Sequence, residues 1–332
     1  MNQHWKNFLL SQNATFESDT DITFPAIDDD NDKAIYPIAH LAVLTVSGKD
    51  AATLLQGQVT CNVNELTATK SSLGALCTPK GRAITTFLLI KTGDAFLVIL
   101  PEALLETVKK RLKMYILRAD VTVTDSSDQL CLMGLSIPAM PAEPLFNTTQ
   151  QDAISVNFSG TQPRYLVIAD TDKAMALWSE RVDNQHFKPI NSDQWRYLDM
   201  LSGIPWLTTE TSEEFIPQML NLDQLGGISY NKGCYTGQEI VARTHYLGKT
   251  KRALFLAECN STTIPAPNST IIDNSTDTEQ SIGKVLLAQH VQIVTESAVT
   301  AVKMLIVLQV SDSDTYNLSL NDNHQTKITL LR

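Results

Sequence analysis

The hydrophobic period of this 332-residue chain changes near Lys251, and that change limits the folds open to it. Upstream, apolar residues recur at both helical and strand spacing. Downstream the helical period is lost, and short runs at 252–258, 283–289, 302–310, 315–320 and 326–331 read as strands. Successive short strands of this kind close into a small antiparallel barrel or sandwich. Residues 260–281, rich in Ser, Thr, Asn and Pro, read as a surface loop within it.

The upstream part alternates strands and helices. Residues 39–46 predict an apolar strand, and Ser47 can cap a helix to about Leu55. Strands at 83–91 and 94–100 flank the turn Thr92-Gly93-Asp94. The clearest helix starts at Pro101 and runs to about Arg118, with Leu104, Leu105, Val108, Leu112, Tyr115 and Ile116 as its apolar stripe. Strands follow at 120–125 and 129–135, then a proline-rich crossing loop over 136–151. A second set has strands near 153–159 and 164–169, a helix at 171–183 and another from Asp193 to Gly203. Two such sets suggest paired α+β modules. The pattern leaves their interleaving open.

The expected domains are an acidic extension over 1–33, an α+β region over 34–250 and a barrel over 251–332. In the extension, Trp5, Phe8 and Leu9 have the spacing of a short amphipathic helix. Its acidic run reads as a solvated arm, with a metal site at Asp28-Asp29-Asp30 as the alternative. A net charge of −10 makes the chain a poor generic binder of nucleic acid. The five cysteines, at 61, 77, 131, 234 and 259, form no C-x-x-C pair. That pattern argues against a disulfide framework, a four-cysteine zinc site or a cluster held by this chain alone. The N-terminus reads as neither a secretory nor a transit leader, and no run is long and apolar enough to span a bilayer, so a reducing cytoplasm is the expected compartment.

The densest chemistry lies in Lys232-Gly233-Cys234-Tyr235-Thr236-Gly237-Gln238-Glu239. Thr236 and Glu239 fit a capping box, with Thr236 as N-cap of a short helix. Cys234 would precede that N-terminus, two residues after a lysine, in a setting that favours a thiolate. A small buried hydrophobe is the alternative reading of the cysteine.

This octapeptide resembles the K-G-C-Y-x-G-Q-E signature of the YgfZ family, folate-binding proteins related to the glycine-cleavage aminomethyltransferase and to iron–sulfur assembly factors. The similarity extends through Phe215-Ile216-Pro217-Gln218, Asn221-Leu222, Gly226-Gly227-Ile228-Ser229, Val241-Ala242-Arg243 and Lys251-Arg252-Ala253-Leu254. It also takes in Gln56-Gly57-Gln58-Val59-Thr60 and Lys80-Gly81-Arg82. The resemblance implies an α+β fold with two ferredoxin-like modules and a C-terminal antiparallel β-barrel around a central folate pocket.

It also implies site residues. Cys234 is expected as a reactive or contact thiol, with Lys232 beside it. Trp195 and Leu41 fall on two family tryptophan positions linked to folate, the second being a departure. A further departure puts Leu201 where many relatives carry a glutamate. Lys80, Arg82, Tyr235, Gln238, Glu239 and Arg243 complete the expected folate contacts. Each has a plainer alternative: Trp195 as core packing, Lys80-Gly81-Arg82 as an exposed basic turn, and Arg243, Lys249, Lys251 and Arg252 as a solvated basic face.

Relatives support the assembly or repair of iron–sulfur clusters in client enzymes, including enzymes that methylthiolate tRNA. The expected role is therefore a tetrahydrofolate-binding accessory factor whose partners are folate and iron–sulfur clients or assembly factors. Direct tRNA contact is a further option, and a membrane is not an expected partner. Folate-dependent aminomethyl-type transfer is the alternative. In those relatives an aspartate begins the strand after the glycine turn, whereas this chain has Ala83-Ile84-Thr85-Thr86-Phe87, without a carboxylate. A cysteine hydrolase is a third class, with no histidine–acid pattern to recommend it.

Overall fold

The structure, a computed structural model, describes residues 1–25, 32–138, 143–158, 160, 163–248, 250–275, 281–290, 300–310, 316–322 and 325–331. Asp28–Asp30 and Lys249 lie outside the described residues.

Three sheets carry the fold. A five-stranded antiparallel sheet has the order Ser72–Cys77, Ala83–Thr92, Ala95–Pro101, Leu41–Ser47 and Thr122–Asp125. A six-stranded sheet runs Thr148–Gln150, Ile154–Asn157, Arg164–Asp170, Leu130–Ser136, Ala34–Ile38 and Lys188–Pro189, its last pair parallel. The two modules interleave, because Ala34–Ile38 pairs with Leu130–Ser136 while the next strand, Leu41–Ser47, enters the other sheet. Helices α1 (Gln3–Ser11), α2 (Ala51–Gln56), α3 (Leu105–Lys113), α4 (Thr171–Ser179), α5 (Ser192–Leu201) and α6 (Gln238–Leu247) surround or join them.

The third sheet is the predicted barrel. Its order is Leu318–Leu320, Thr270–Asp273, Ser281–His290, Thr300–Gln309, Arg252–Ser261 and Ile328–Leu330. A bridge between Ser319 and Lys327 brings its two edges together, so the six strands nearly close. Closure removes the exposed edges that an open sheet would present. The fold class expected from the resemblance is the one observed.

Local differences have physical causes. The 101–118 helix starts as a 3₁₀ turn, Glu102–Leu104, and its regular part ends at Lys113. Its stripe holds through Leu112, whereas Leu117 is exposed with a positive φ. The helix expected over 171–183 is α4 up to Ser179, then a π turn over Glu180–Asn184. The 260–281 segment is not all surface loop: Ile271 and Ile272 are buried in strand Thr270–Asp273.

The helix expected from Trp5, Phe8 and Leu9 forms as α1 and is docked on the fold, while Glu17 and Asp19 of the acidic run are exposed. Trp5 and Leu9 are fully buried, and Trp5 packs edge-on against Trp178 of α4 at 5.7 Å between ring centroids. Asp21 pairs with Arg196 of α5. Burial of the apolar face of α1 holds the segment against the fold while its acids stay at the surface.

Candidate functional site

Four blocks that lie far apart in the sequence meet around Lys232–Glu239. The ammonium of Lys232 is buried and donates to the backbone carbonyls of Val59 at 2.6 Å and Cys61 at 2.8 Å. It also lies 5.0 Å from the ring centroid of Tyr235, a cation–π distance. Burial holds this amine down at about 8. Thr236 donates its amide to the Gly57 carbonyl and its hydroxyl to Gln58 Oε1. The Gln56–Thr60 block is thus the platform on which the signature loop rests.

The basic turn joins from the other side. A Cβ on Gly81 would fall 2.8 Å from Ile240 Cβ, and one on Gly237 would fall 2.5 Å from the Thr78 carbonyl oxygen. The Lys80-Gly81-Arg82 turn therefore packs directly on the first turn of α6. Arg82 donates to the Glu214 carbonyl, and Ala83 exchanges backbone hydrogen bonds with Glu213 and Phe215. Gln218 donates to the Val241 carbonyl at 2.6 Å, and Asn221 bridges to both backbone groups of Leu254. These ties explain why the upstream blocks carry glutamine and asparagine: each side chain satisfies a main chain from a distant element.

The capping box does not form. The helix begins at Gln238, entered through Gly237 at φ +85°, a left-handed conformation that favours glycine. The Thr236 hydroxyl is engaged by Gln58 instead of the helix amides. Glu239 still lies in the first turn, where the helix dipole favours an acid. Lys232, expected beside the thiol, directs its hydrogen bonds at Val59 and Cys61.

Cys234 itself is exposed, whereas Cys61, Cys77, Cys131 and Cys259 are buried. Burial pushes the thiols of Cys61 and Cys77 up to about 12 and those of Cys131 and Cys259 up to about 11. One thiol of five is thus presented to solvent, on a loop pinned by a buried lysine. Lys80, Arg82, Glu239 and Arg243 are exposed, Gln238 is half-buried and Tyr235 is buried. His245 stacks on Tyr230 at 3.7 Å between ring centroids and meets Tyr246 edge-on. The stacked pair was not apparent in the sequence, although an aromatic and a histidine flanking the signature were its visible signal. A cavity of about 260 Å³ opens beside the loop, with Asn62, Lys70, Ser229, Tyr230 and Asn231 in its wall.

Trp195 and Leu41 lie elsewhere, in the core between the two modules. They share that core with Cys77 and Val241 at the base of the signature. Trp195 is fully buried, packed on Gly134, Tyr36 and Phe158, with the Arg164 guanidinium 4.6 Å from its ring centroid. That arginine forms a buried ion pair with Asp199 at 2.5 Å, and Asp199 also accepts from the Trp206 indole. In this arrangement the Trp195 ring has no face open to a ligand. The strand that begins at Ala83 has no acid, and its Thr85 and Thr86 hydroxyls are buried and donate to backbone carbonyls.

Residues 30–158 match the family described as GCVT N-terminal domain. A tRNA-modifying protein YgfZ from Colwellia psychrerythraea is 37% identical over 229 residues, covering 66% of this chain and 69% of that one. A tRNA-modifying protein YgfZ from Yersinia enterocolitica is 34% identical over 235 residues, covering 68% and 71%. The crystal structure of aminomethyltransferase T of the glycine cleavage system from Bartonella henselae superimposes with a TM-score of 0.67 at 13% identity, over 90% of this chain and 84% of that one. That likeness shows the fold. Among the described residues no helix is long and apolar enough to cross a membrane.

Proposed function

The chain belongs to the family of the tRNA-modifying protein YgfZ, and from that membership we propose that it is a folate-binding accessory protein for iron–sulfur client enzymes, including those that methylthiolate tRNA. The observation that carries this reading is the presentation of Cys234. It is the exposed thiol, on a loop fastened to the Gln56–Thr60 platform through Lys232.

The donor set around the loop fits part of a folate. Exposed Lys80, Arg82 and Arg243 suit the carboxylates of its glutamate tail, and Gln238 adds a polar contact. The buried Trp195 and Leu41 fit less directly, since neither offers the ring an open face. When bound, a reduced folate supplies a carrier for a one-carbon group. The chain's own contribution is to hold the tail by charge and to keep Cys234 accessible to a sulfur or cluster ligand of a client.

The transferase alternative is weaker on one specific ground. The stretch Ala83-Ile84-Thr85-Thr86-Phe87 carries no carboxylate, and a hydroxyl is a poor general base near neutral pH. The accessory reading predicts that Cys234→Ala folds and binds tetrahydrofolate as the wild type does, yet fails to restore methylthiolated tRNA in cells lacking the native protein. Full rescue by that variant removes Cys234 from the mechanism. Titration with tetrahydrofolate, followed by tryptophan fluorescence and calorimetry, tests the cofactor. The absence of saturation in both refutes folate binding. Steady turnover of a one-carbon-loaded folate with an amine carrier would favour the transferase.

A further inference from the structure

The last turn of α6 holds rings out to solvent. His245 lies on Tyr230 at 3.7 Å between centroids and 13° between planes, and Tyr246 meets the two at 78° and 70°. Tyr230 is half-buried and His245 is exposed. Tyr246 is 62% exposed, and Leu247 beside it 83%. The helix contributes Val241 alone to the buried core. A stack of aromatic rings that ends at water adds little to stability, and exposed apolar surface of this kind marks an interaction site.

Charge identifies the partner. The chain carries a net −10, yet no acid occurs between Ile240 and Arg252. Arg243 and Lys251 are exposed and Arg252 is half-buried, and none of the three has an ion pair among the described residues. Two acids adjoin the cluster. Asp223 acts on Tyr230 through its charge, and Glu239 stands one turn before Arg243 and offsets part of that cation. Lys251 and Arg252, where the chain leaves the helix and enters the first barrel strand, therefore carry the uncompensated positive charge.

Rings beside unpaired cations match an unstacked nucleotide, whose base presents a flat face and whose phosphate needs a cation. A duplex keeps its base faces inside its own stack and has no use for the rings. An acidic protein segment would engage the cations but not the stack. Tyr230 also lines the cavity of about 260 Å³, where Asn62, Ser229 and Asn231 offer the amide and hydroxyl groups that bond base edges.

We infer that the end of α6 binds single-stranded RNA, with a base stacked on the Tyr230, His245 and Tyr246 cluster and the flanking phosphates held by Lys251 and Arg252. The inference deepens the accessory reading and rests on it for the choice of RNA. It uses none of the residues assigned above to the folate tail or to the thiol.

The test is fluorescence anisotropy of the full chain with a labelled single-stranded RNA of about 12 nucleotides, a length within the usual site sizes. Saturable binding is expected, weaker for a duplex of the same sequence. Tyr246→Ala and His245→Ala should each weaken it by about fivefold or more, the effect of losing one stacked base. Tyr246→Phe keeps the ring and should bind as the wild type does. Leu247→Ala should also leave binding unchanged, because an aliphatic side chain gives a base no stacking face. The double variant Lys251→Ala, Arg252→Ala should flatten the dependence of log K on log salt by about 0.7 for each cation removed. No saturation, equal binding of the duplex, or binding unchanged in both Tyr246→Ala and His245→Ala overturns the inference. Displacement of the RNA by polyglutamate as readily as by unlabelled RNA would mark a docking face for acidic protein and overturns it too. If the wild type binds no RNA while Cys234→Ala still fails to restore methylthiolated tRNA, the accessory reading stands and this inference falls.

Discussion

Lys232 is an unusual lysine because its charge is stabilised by carbonyls and a ring instead of an acid. Removing the ammonium from water costs more than two carbonyl bonds return, which is why its proton is held only to about 8 against an ordinary 10.5. The sign of the consequence follows from proton counting. Between those two values the unfolded chain carries the proton more often than the folded one, so this residue's contribution to stability improves as pH rises. The four buried thiols act in the opposite sense near pH 9, because folding keeps them protonated. The readout is therefore the difference between two proteins. Urea denaturation of wild type and Lys232→Met across pH 7 to about 10 should show the wild type gaining on the variant as pH increases. A constant gap would show that the amine is not desolvated in the folded state.

At the scale of elements, the turn into α6 decides how the signature is displayed. Gly237 has φ +85°, and a Cβ there would meet the Thr78 carbonyl oxygen at 2.5 Å. That atom belongs to backbone and cannot swing aside. Gly237→Ala should cost about 2–4 kcal/mol, combining left-handed strain with overpacking. Gly233 is the control, since a Cβ there meets nothing within 4 Å. Gly233→Ala should change stability by no more than about 0.5 kcal/mol. Equal effects of the two, measured by thermal or urea unfolding, would refute the packing of the basic turn on α6. The sequence announced a turn, a helix and a loop-borne cysteine at this place. It did not announce the cap, because the Thr236 hydroxyl goes to Gln58, 178 residues earlier. Capping rules are local, and a distant acceptor overrides them. Burial of Ile271 and Ile272 inside a polar-looking segment was illegible for the same reason, since their strand is defined by partners at 281–284 and 318–320.

Across the whole molecule, periodicity predicted paired modules and a small antiparallel barrel or sandwich, the resemblance chose the barrel, and neither gave the interleaving in which strand 34–38 and strand 41–47 enter different sheets. Strand partners in an antiparallel sheet are set by long-range register, which a single sequence does not print. The position of the N-terminal segment followed the same logic. Its acids pointed to solvent, while its apolar stripe, Trp5 and Leu9, pointed to a docking face that could not be located from sequence. In the structure that face is α4: Trp5, stacked on Phe8 of its own helix at 5.5 Å, meets Trp178 edge-on, and Phe24 covers Trp178 from the other end of the segment. The segment is therefore part of the six-stranded module's outer core. Trp5→Ala should destabilise the whole protein by about 3–5 kcal/mol, the range for removing a buried tryptophan. Leu10→Ala, at an exposed position on the same helix, should leave stability within about 0.5 kcal/mol. Both should unfold in one transition if the segment shares the module's core. An unchanged main transition in Trp5→Ala, with only an early loss of helical signal, would instead mean that α1 melts independently and contributes nothing to the fold beneath it.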